Sequence, residues 1–293
     1  NPDDYKSVDL VIYDTINKEV PGSIVSSIMS TLNEGSVLVS EDYFKKLFAE
    51  DNDHTTGVIV IDSADPVNTV EYINNLDIEN LDVFKAGMIT VQDESSMMVG
   101  IAANPKEKDY IIDVCAAPGG KSLHMADKMQ GQGMVDARDL TDYKVGLIEE
   151  NIERTQTLNI RAHRKDATLL DKESVEKADI VLADVPCSGL GVIGKKTDIK
   201  YRTDEDKIQE LAVLQKQILH NAASYVKPGG ILIYSTCTIG ADENQLNVKW
   251  FLENYPFRLE SIDSYICDEL KSKTTKGGYI QLLPGVHQSD GFF

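Results

Sequence analysis

Short apolar runs alternate with longer amphipathic stretches from about Tyr110 to the end of the chain. The runs are rich in β-branched residues and are bounded by glycine, proline or charged residues, which is typical of buried strands. They predict strands at Tyr110–Val114, Met134–Arg138, Ile160–His163, Asp179–Ala183 and Gly230–Ser235. The stretches between them carry apolar residues at three- and four-residue spacing, and they predict helices at Ser122–Met129, Tyr143–Leu158, Asp204–Val226 and Asp242–Asn254. This alternation predicts an α/β fold in which helices cover a parallel sheet.

The pattern before Tyr110 is less regular and indicates a smaller α/β module. It predicts helices at Ser23–Leu32, Glu41–Glu50 and Val67–Asn75, with strands near Val37 and at Val58–Ile61. Gly87, Gly100 and the polar stretch Asn104–Asp109 interrupt the pattern between the two parts. We therefore predict a small module at residues 1–86 and a larger domain at residues 87–293.

The composition fits an intracellular globular protein. Hydrophobic residues make up 42% of the 293 residues, enough for one large core and a smaller attached module. No apolar run approaches the roughly 20 residues that a membrane helix needs, and the chain does not open on a basic and then apolar leader. The four cysteines have no short paired spacing, which argues against a zinc site and a disulfide framework. We expect a soluble, cytoplasmic, monomeric protein with reduced thiols and no metal.

Charge is distributed unevenly along the chain. The net charge of −19 argues against a protein that grips nucleic acid over its whole surface, because phosphate contacts need lysine and arginine. Residues 1–110 contain 21 acidic residues against 7 lysines, and every arginine lies after them. The simpler explanation of the acidity is a surface that favours solubility. Any contact with a polyanion is expected in the second part of the chain.

A glycine-rich segment follows the first strand of the larger domain and precedes a helix. Gly119 and Gly120 permit a tight turn, and N–H groups at the helix start favour a polar or anionic ligand. The G-x-G-x-x-G spacing of dinucleotide sites is absent, and an ordinary strand-to-helix turn is the alternative. The candidate ligand-binding residues of this segment are Cys115, Ala116, Ala117, Pro118, Gly119, Gly120 and Lys121.

Acidic residues follow the next two strands. Asp139 ends the second strand, where folds of this kind place an acceptor for ribose hydroxyls, and Asp136 within the strand is its rival. Asp166 follows the third strand, where it could face an adenine edge. Each of these residues alone is as readily a helix cap or a turn residue.

Two cysteines follow adjacent predicted strands. Cys187 lies in Asp184-Val185-Pro186-Cys187-Ser188, and Cys237 lies in Ser235-Thr236-Cys237. A single cysteine is most often a small core residue, which is our expectation for Cys267. Two thiols at neighbouring carboxyl ends of strands instead suggest a nucleophile and a helper, with Asp184 beside them.

Taken together, these segments resemble the Sun/Nop family of RNA cytosine-5 methyltransferases, in particular its bacterial RsmB (Fmu) type, which acts on 16S ribosomal RNA. The resemblance runs from about Gly87 to Phe293 and also includes Val91–Ser96, Leu283–Gly285 and Asp290–Phe293. It implies a Rossmann-like S-adenosylmethionine-dependent methyltransferase sheet with helices on both faces, beside the smaller amino-terminal α/β module. The end of the family's last strand is expected to be missing after Phe293.

The resemblance also implies roles for the candidate residues. The segment Cys115–Lys121 and the carboxylates Asp139, Asp166 and Asp184 would contact S-adenosylmethionine or the target base. Cys237 would attack carbon 6 of the cytosine and Cys187 would aid product release, with Asp184 polarising the ring. DNA cytosine-5 methyltransferases attack with a Pro-Cys thiol instead, so the presence of both cysteine motifs favours the RNA family.

RNA contacts are predicted near the Cys187 loop, at Lys195, Lys196, Lys200 and Arg202. A second basic cluster comprises Arg161, His163, Arg164 and Lys165. A solvated loop explains the first group equally well, and residues 1–86 are another candidate RNA-binding region. The cytosine must be unpaired or flipped out, because carbon 5 is inaccessible within a stacked helix. Methylation of another ribosomal RNA or of tRNA, and a non-catalytic role in ribosome assembly, are the alternatives.

Overall fold

The computed structural model describes residues 8–12, 59–63, 82–287 and 289–293. Internal contacts divide the chain into one unit of residues 1–90 with 154–156 and another of residues 91–153 with 157–293. The division at residue 87 stays a prediction. The helices predicted at Ser23–Leu32, Glu41–Glu50 and Val67–Asn75, and the strand near Val37, lie outside the described residues.

The smaller unit contains an antiparallel pair of strands. Strand β1 (Val8–Ile12) pairs with β2 (Ile59–Ser63), and Leu10 lies opposite Ile61. Strand β2 confirms the run predicted at Val58–Ile61, shifted by one residue at its start. The sequence pattern missed β1, because Asp9 interrupts a run of only five residues. A short helix, α1 (Asp82–Lys85), follows within this unit.

The larger unit is built on a sheet of parallel strands, as predicted. The strands are β3 (Tyr110–Asp113), β4 (Met134–Asp139), β5 (Ile160–Arg164), β6 (Ala178–Asp184) and β7 (Val226–Ser235). Their order in the sheet is β5-β4-β3-β6-β7. Strand β7 begins before the predicted Gly230, because Val226 already pairs with Ala178 of β6. The register then shifts between Ala178 and Ile180, and Pro228 and Gly229 bulge out of the pairing.

Helices connect these strands. They are α2 (Glu94–Ala103), α3 (Gly120–Lys128), α4 (Asp142–Thr155), α5 (Ile199–Arg202), α6 (Glu205–Tyr225), α7 (Gln245–Asn254) and α8 (Lys273–Lys276). Helix α4 ends before the predicted Leu158, because Gln156 has a left-handed backbone with φ of 53°. Within the described residues, no helix is both long and apolar enough to cross a bilayer.

Helix α2 was missed because Gly100 and Asn104 indicate an interruption of the pattern. The glycine has a packing reason instead, since a Cβ at Gly100 would lie 2.6 Å from Nδ1 of His124 on α3. Asn104 ends the helix in a left-handed conformation and does not interrupt it. Close packing of two helices therefore explains a residue that local propensity assigns to a loop.

The sheet has a hydrophobic core on each face. Alternate residues of a strand point to opposite faces, so Ile111 packs in one core and Ile112 in the other. The first core includes residues of α2, α3 and α4, and the second includes residues of α6 and α7. Each fully buried isoleucine or leucine contributes about 1.5–3 kcal/mol. Helices therefore cover both faces of a Rossmann-like sheet, as the sequence predicted.

Candidate active site

The candidate site lies at the carboxyl ends of β3 and β6. These strands are neighbours in the sheet but not in the sequence, so the chain leaves them toward opposite sides and opens a crevice between their loops. The glycine-rich segment follows β3, and Asp184 is the last residue of β6. Open α/β sheets bind their ligands at such a switch point.

The glycine-rich segment is held by the buried carboxyl group of Asp113. The hydroxyl of Ser122 donates to Asp113 Oδ2 at 2.7 Å, and the Cys115 N–H donates to Oδ1 at 3.3 Å. Burial raises the pKa of Asp113 to about 7, although the bond from Ser122 acts in the opposite direction. Gly119 has φ of 110° at the start of α3, and a Cβ on Gly120 would meet no atom within 4 Å. The turn therefore exposes backbone to open space, as a ligand cradle requires.

The two acidic candidates on β4 have different surroundings. Asp139 accepts the Ala117 N–H at 3.0 Å and forms an ion pair with Lys144 at 3.0 Å, so it braces the glycine-rich segment. Asp136 lies on the other face of the strand, where His163 Nδ1 is 2.7 Å from its carboxylate and Arg138 pairs with it. The geometry therefore favours Asp139 over Asp136 as the residue beside the crevice.

Asp166 forms a local turn after β5. Its Oδ1 accepts the N–H of Thr168 at 2.8 Å and the hydroxyl of the same residue at 2.6 Å. This is the turn that an aspartate in a loop commonly makes, and only Oδ1 takes part in it. The contact of Asp166 with an adenine edge stays a prediction.

Asp184 meets the last residue of the glycine-rich segment. Lys121 Nζ lies 2.8 Å from Asp184 Oδ2, and the hydroxyl of Ser235 donates to Oδ1 at 2.7 Å. Lys121 also donates to Ser96 Oγ at 3.3 Å and lies 5.4 Å from the centre of the Phe292 ring. Lys121 therefore links the glycine-rich segment after β3 to Asp184 at the end of β6.

The thiols of Cys187 and Cys237 are in contact. Their sulfur atoms lie 3.1 Å apart, although the residues are 50 positions apart in the sequence. Hydrogen bonding to Cys187 lowers the pKa of Cys237, and the charge of Lys121 acts in the same direction. The same bond raises the pKa of Cys187, and burial adds to this effect. Of the two thiols, Cys237 is therefore the one that loses its proton more readily.

The remaining cysteines differ from this pair. Burial raises the pKa of Cys115, and the negative charge of Asp113 adds to the shift, so this thiol is a poor nucleophile. The expectation that Cys267 is a core residue is wrong. Cys267 is exposed, because it precedes a short surface 3₁₀ helix at Asp268–Leu270. Within the described ranges, no group of three or more His, Cys, Asp or Glu could hold a metal ion.

Comparison with known proteins identifies the family. The model of the 16S rRNA methyltransferases RsmB/F matches residues 100–293, about two thirds of the chain. The chain belongs to the RsmB/F family. The resemblance inferred from the sequence motifs is thereby confirmed.

The curated relatives of this RsmB/F member are longer than the chain itself. A protein of Bacillus subtilis named probable ribosomal RNA small subunit methyltransferase B is 39% identical over 72% of this chain and 47% of its own. Ribosomal RNA small subunit methyltransferase F of Cronobacter sakazakii is 31% identical over 71% of this chain and 44% of its own. The chain therefore spans about half the length of these relatives.

A solved structure also resembles this RsmB/F member. NSun6 of Pyrococcus horikoshii, solved with SFG, superposes with a TM-score of 0.66. The two chains are 31% identical, and the match covers 73% of this chain and 54% of that one. The agreement extends the likeness from sequence motifs to the arrangement of the sheet and its loops.

The predicted RNA contacts of this family member lie on the surface near the Cys187 loop. Lys195 forms ion pairs with Asp93 at 3.1 Å and with Asp290 at 2.8 Å, so it joins separate segments of the domain. Lys196, Lys200 and Arg202 are exposed. The contact of all four basic residues with RNA stays a prediction.

The second basic cluster is largely matched by local acids. Arg164 pairs with Asp142 at 2.9 Å, and Lys165 pairs with Asp171. His163 contacts Asp136, as described above. These acidic partners reduce the positive charge that the cluster offers to a polyanion.

Sequence reasoning missed the polar residues behind the two thiols. Glu243 and Asn244 are fully buried, as is Gln215 of α6. The pattern predicted that a helix would begin at Asp242, whereas α7 begins at Gln245. An acid and an amide directly after a cysteine loop were the available signal, but helix periodicity explained them equally well.

Proposed function

We propose that this chain transfers a methyl group from S-adenosylmethionine to carbon 5 of a cytosine in 16S ribosomal RNA. The observation that carries the proposal is the 3.1 Å contact between the sulfur atoms of Cys237 and Cys187 at the carboxyl edge of a methyltransferase sheet. Hydrogen bonding to Cys187 lowers the pKa of Cys237. Family membership supports the reaction class. The thiols and carboxylates come from one chain, so we propose that it acts as a monomer, and its ribosomal substrate would place it in the cytoplasm.

The residues at the switch point fit S-adenosylmethionine, whose sulfonium would supply the methyl group. The backbone at Gly120 borders open space, so it can approach a ligand closely. Asp139 and Asp166 lie at or just after the ends of successive strands, where each would accept a hydrogen bond from the nucleoside. Asp184 closes the crevice on the side of the thiols.

Cys237 is suited to attack the base. Its thiolate would form a bond to carbon 6 of the cytosine, and the electron pair of the 5,6 double bond would shift toward carbon 5 and the ring. Carbon 5 then becomes nucleophilic enough to accept a methyl group. A protonated Asp184 would donate a hydrogen bond to the ring nitrogen, with its side chain oriented by Lys121 and Ser235.

Cys187 is suited to assist the release. After methylation a base such as a water molecule must take the carbon-5 proton, the electrons of that carbon–hydrogen bond must restore the double bond, and the carbon–sulfur bond must break to return the thiolate. A thiol 3.1 Å from the leaving sulfur can donate a hydrogen bond to it as charge returns. The nucleophile and the helper are therefore distinct residues with opposite pKa shifts.

Replacement of each thiol tests the proposal. Cys237→Ala should abolish transfer of labelled methyl groups to unmodified 16S ribosomal RNA and should form no adduct. Cys187→Ala should accumulate a protein–RNA adduct through Cys237 that survives denaturing electrophoresis. Cys267→Ala is the matched control, because this thiol is exposed and outside the site.

The outcomes separate the alternatives. Full activity of Cys237→Ala would refute the assignment, and an adduct through Cys187 would show the arrangement of the DNA enzymes. Wild-type protein that binds the RNA without transferring methyl groups would favour a role in ribosome assembly. Mapping of 5-methylcytosine after deletion of the gene would identify the modified position, or would reveal tRNA or another ribosomal RNA as the substrate.

A further inference from the structure

A buried carboxylate lies behind the thiol pair. Glu243 has no exposed surface, and its side chain accepts three hydrogen bonds. The donors are the Ser188 N–H at 2.9 Å, the Ser188 hydroxyl at 2.5 Å and Gln215 Nε2 at 2.9 Å. A carboxylate in such a place is costly unless donors compensate for its lost hydration. This arrangement therefore requires an explanation beyond packing.

These bonds fix the backbone on both sides of Cys187. Ser188 follows the cysteine directly, and its N–H is held by Glu243. Pro186 precedes the cysteine, and its carbonyl oxygen accepts from Gln215 Nε2 at 3.0 Å. Because Gln215 donates to both Pro186 and Glu243, the two flanking peptide groups are tied to one carboxylate.

The next residue does the same for Cys237. The hydroxyl of Thr236 donates to Asn244 Oδ1 at 2.6 Å, and Asn244 Nδ2 donates to the Thr238 carbonyl oxygen at 3.0 Å. Thr236 and Thr238 flank the cysteine. The hydroxyls of Ser188 and Thr238 are 2.7 Å apart, so the two halves of the network are also joined directly.

We propose that Glu243 and Asn244 are positioning residues that together hold the two thiols at reacting distance, Glu243 through Pro186 and Ser188 and Asn244 through Thr236 and Thr238. Consecutive residues just before α7 thus clamp two loops whose cysteines are 50 positions apart. The consequence for the reaction rests on the function proposed above. The consequence for the thiol geometry does not, so the two can be tested separately.

The geometric test is the rate at which a diamide oxidant joins Cys187 and Cys237. Both thiols lose a proton and their electrons reduce the diamide, forming one sulfur–sulfur bond, which requires the sulfur atoms to approach from 3.1 Å. Glu243→Ala and Asn244→Ala should each slow this reaction about tenfold, the effect of one or more lost hydrogen bonds. Glu243→Gln should restore the rate, because its amide retains an acceptor for the Ser188 N–H and a donor for the Ser188 hydroxyl.

A second readout separates the clamp from general loss of stability. In Glu243→Ala and Asn244→Ala, the Cys187 thiol should no longer lie within hydrogen-bonding distance of Cys237. The Cys237 thiolate should therefore form at higher pH, which peptide-resolved alkylation with iodoacetamide measures. Asn159→Ala is the control, because Asn159 is also buried and bonds to Ala126 and Gln132 at the opposite end of the sheet. It should lower the unfolding temperature while leaving disulfide formation and the alkylation profile unchanged.

The milder variant Ser188→Ala covers the case in which Glu243→Ala does not fold. It removes only the hydroxyl bonds to Glu243 and Thr238, and it should slow disulfide formation about threefold. Unchanged rates and profiles in folded Ser188→Ala and Asn244→Ala would overturn the proposal. Absence of methyl transfer by the wild-type protein would refute the proposed function but not the clamp.

The same variants predict an asymmetry in the reaction. Loss of the Glu243 side chain should resemble loss of Cys187, with slow release and accumulation of the RNA adduct. Loss of the Asn244 side chain should resemble loss of Cys237, with little adduct. Identical behaviour of the two variants, with normal disulfide formation, would contradict the division between them.

Discussion

Replacement of Asp113 by asparagine removes a side chain that can ionise beneath the glycine-rich segment. Asp113 is buried, and its pKa rises from an ordinary value of 3.8 to about 7 because burial disfavours the charged form. The native state therefore retains a proton that the unfolded state loses between these two values. Since the native state binds more protons in this window, stability falls as pH rises from about 4 to about 7.

The magnitude follows from the difference between the two pKa values. Each pH unit between them is worth about 1.4 kcal/mol, so ionisation of Asp113 costs about 4 kcal/mol above pH 7. Asp113→Asn cannot ionise and retains an acceptor for the Cys115 N–H, while the Ser122 hydroxyl can accept from the new amide. The variant should gain about 4 kcal/mol over the wild type between about pH 4 and about pH 8, or about 10 °C in unfolding temperature.

Thermal unfolding followed by circular dichroism across this pH range measures the difference. The control is Asp142→Asn, whose carboxylate is 81% exposed and pairs on the surface with Arg164. Its curve should run parallel to the wild type at every pH. A parallel curve for Asp113→Asn as well would show that Asp113 ionises normally in the folded protein, and the reasoning would be refuted.

Two further variants probe the thiol site. Gly191→Ala would place a Cβ 2.7 Å from the carbonyl oxygen of Cys237, so it should destabilise the domain by at least about 1–3 kcal/mol in urea unfolding and lower methyl transfer. Gly194→Ala meets nothing within 4 Å and should change neither quantity; equal effects of the two would contradict the packing argument. The pKa of Cys237 is lowered chiefly by its hydrogen bond with Cys187 and further by the charge of Lys121. Lys121→Gln should therefore move Cys237 alkylation to higher pH. Lys121→Arg should retain the wild-type profile, and an unshifted profile for Lys121→Gln would exclude this charge effect.

The amino-acid sequence by itself determined the architecture of the larger unit and the identity of its two thiols. Strand and helix periods depend on residues a few positions apart, so β3 to β7 and the longer helices between them, α3, α4 and α6, could be predicted from local pattern. The glycine-rich turn is local in the same sense, because its backbone φ of 110° at Gly119 is one that glycine adopts readily and other residues rarely do. Helix α2 was missed for the opposite reason, since Gly100 is explained by His124 on another helix.

Only the tertiary structure decided which side chains meet at the site. The strand order β5-β4-β3-β6-β7 places the loops after β6 and β7 side by side, which brings Cys187 to Cys237. The same order pairs Lys121 with Asp184, and the packing of the sheet buries Glu243, which the sequence pattern had placed only within a predicted helix. Periodicity reports which residues are buried, whereas hydrogen-bond partners distant in sequence are set by the packing of the whole sheet.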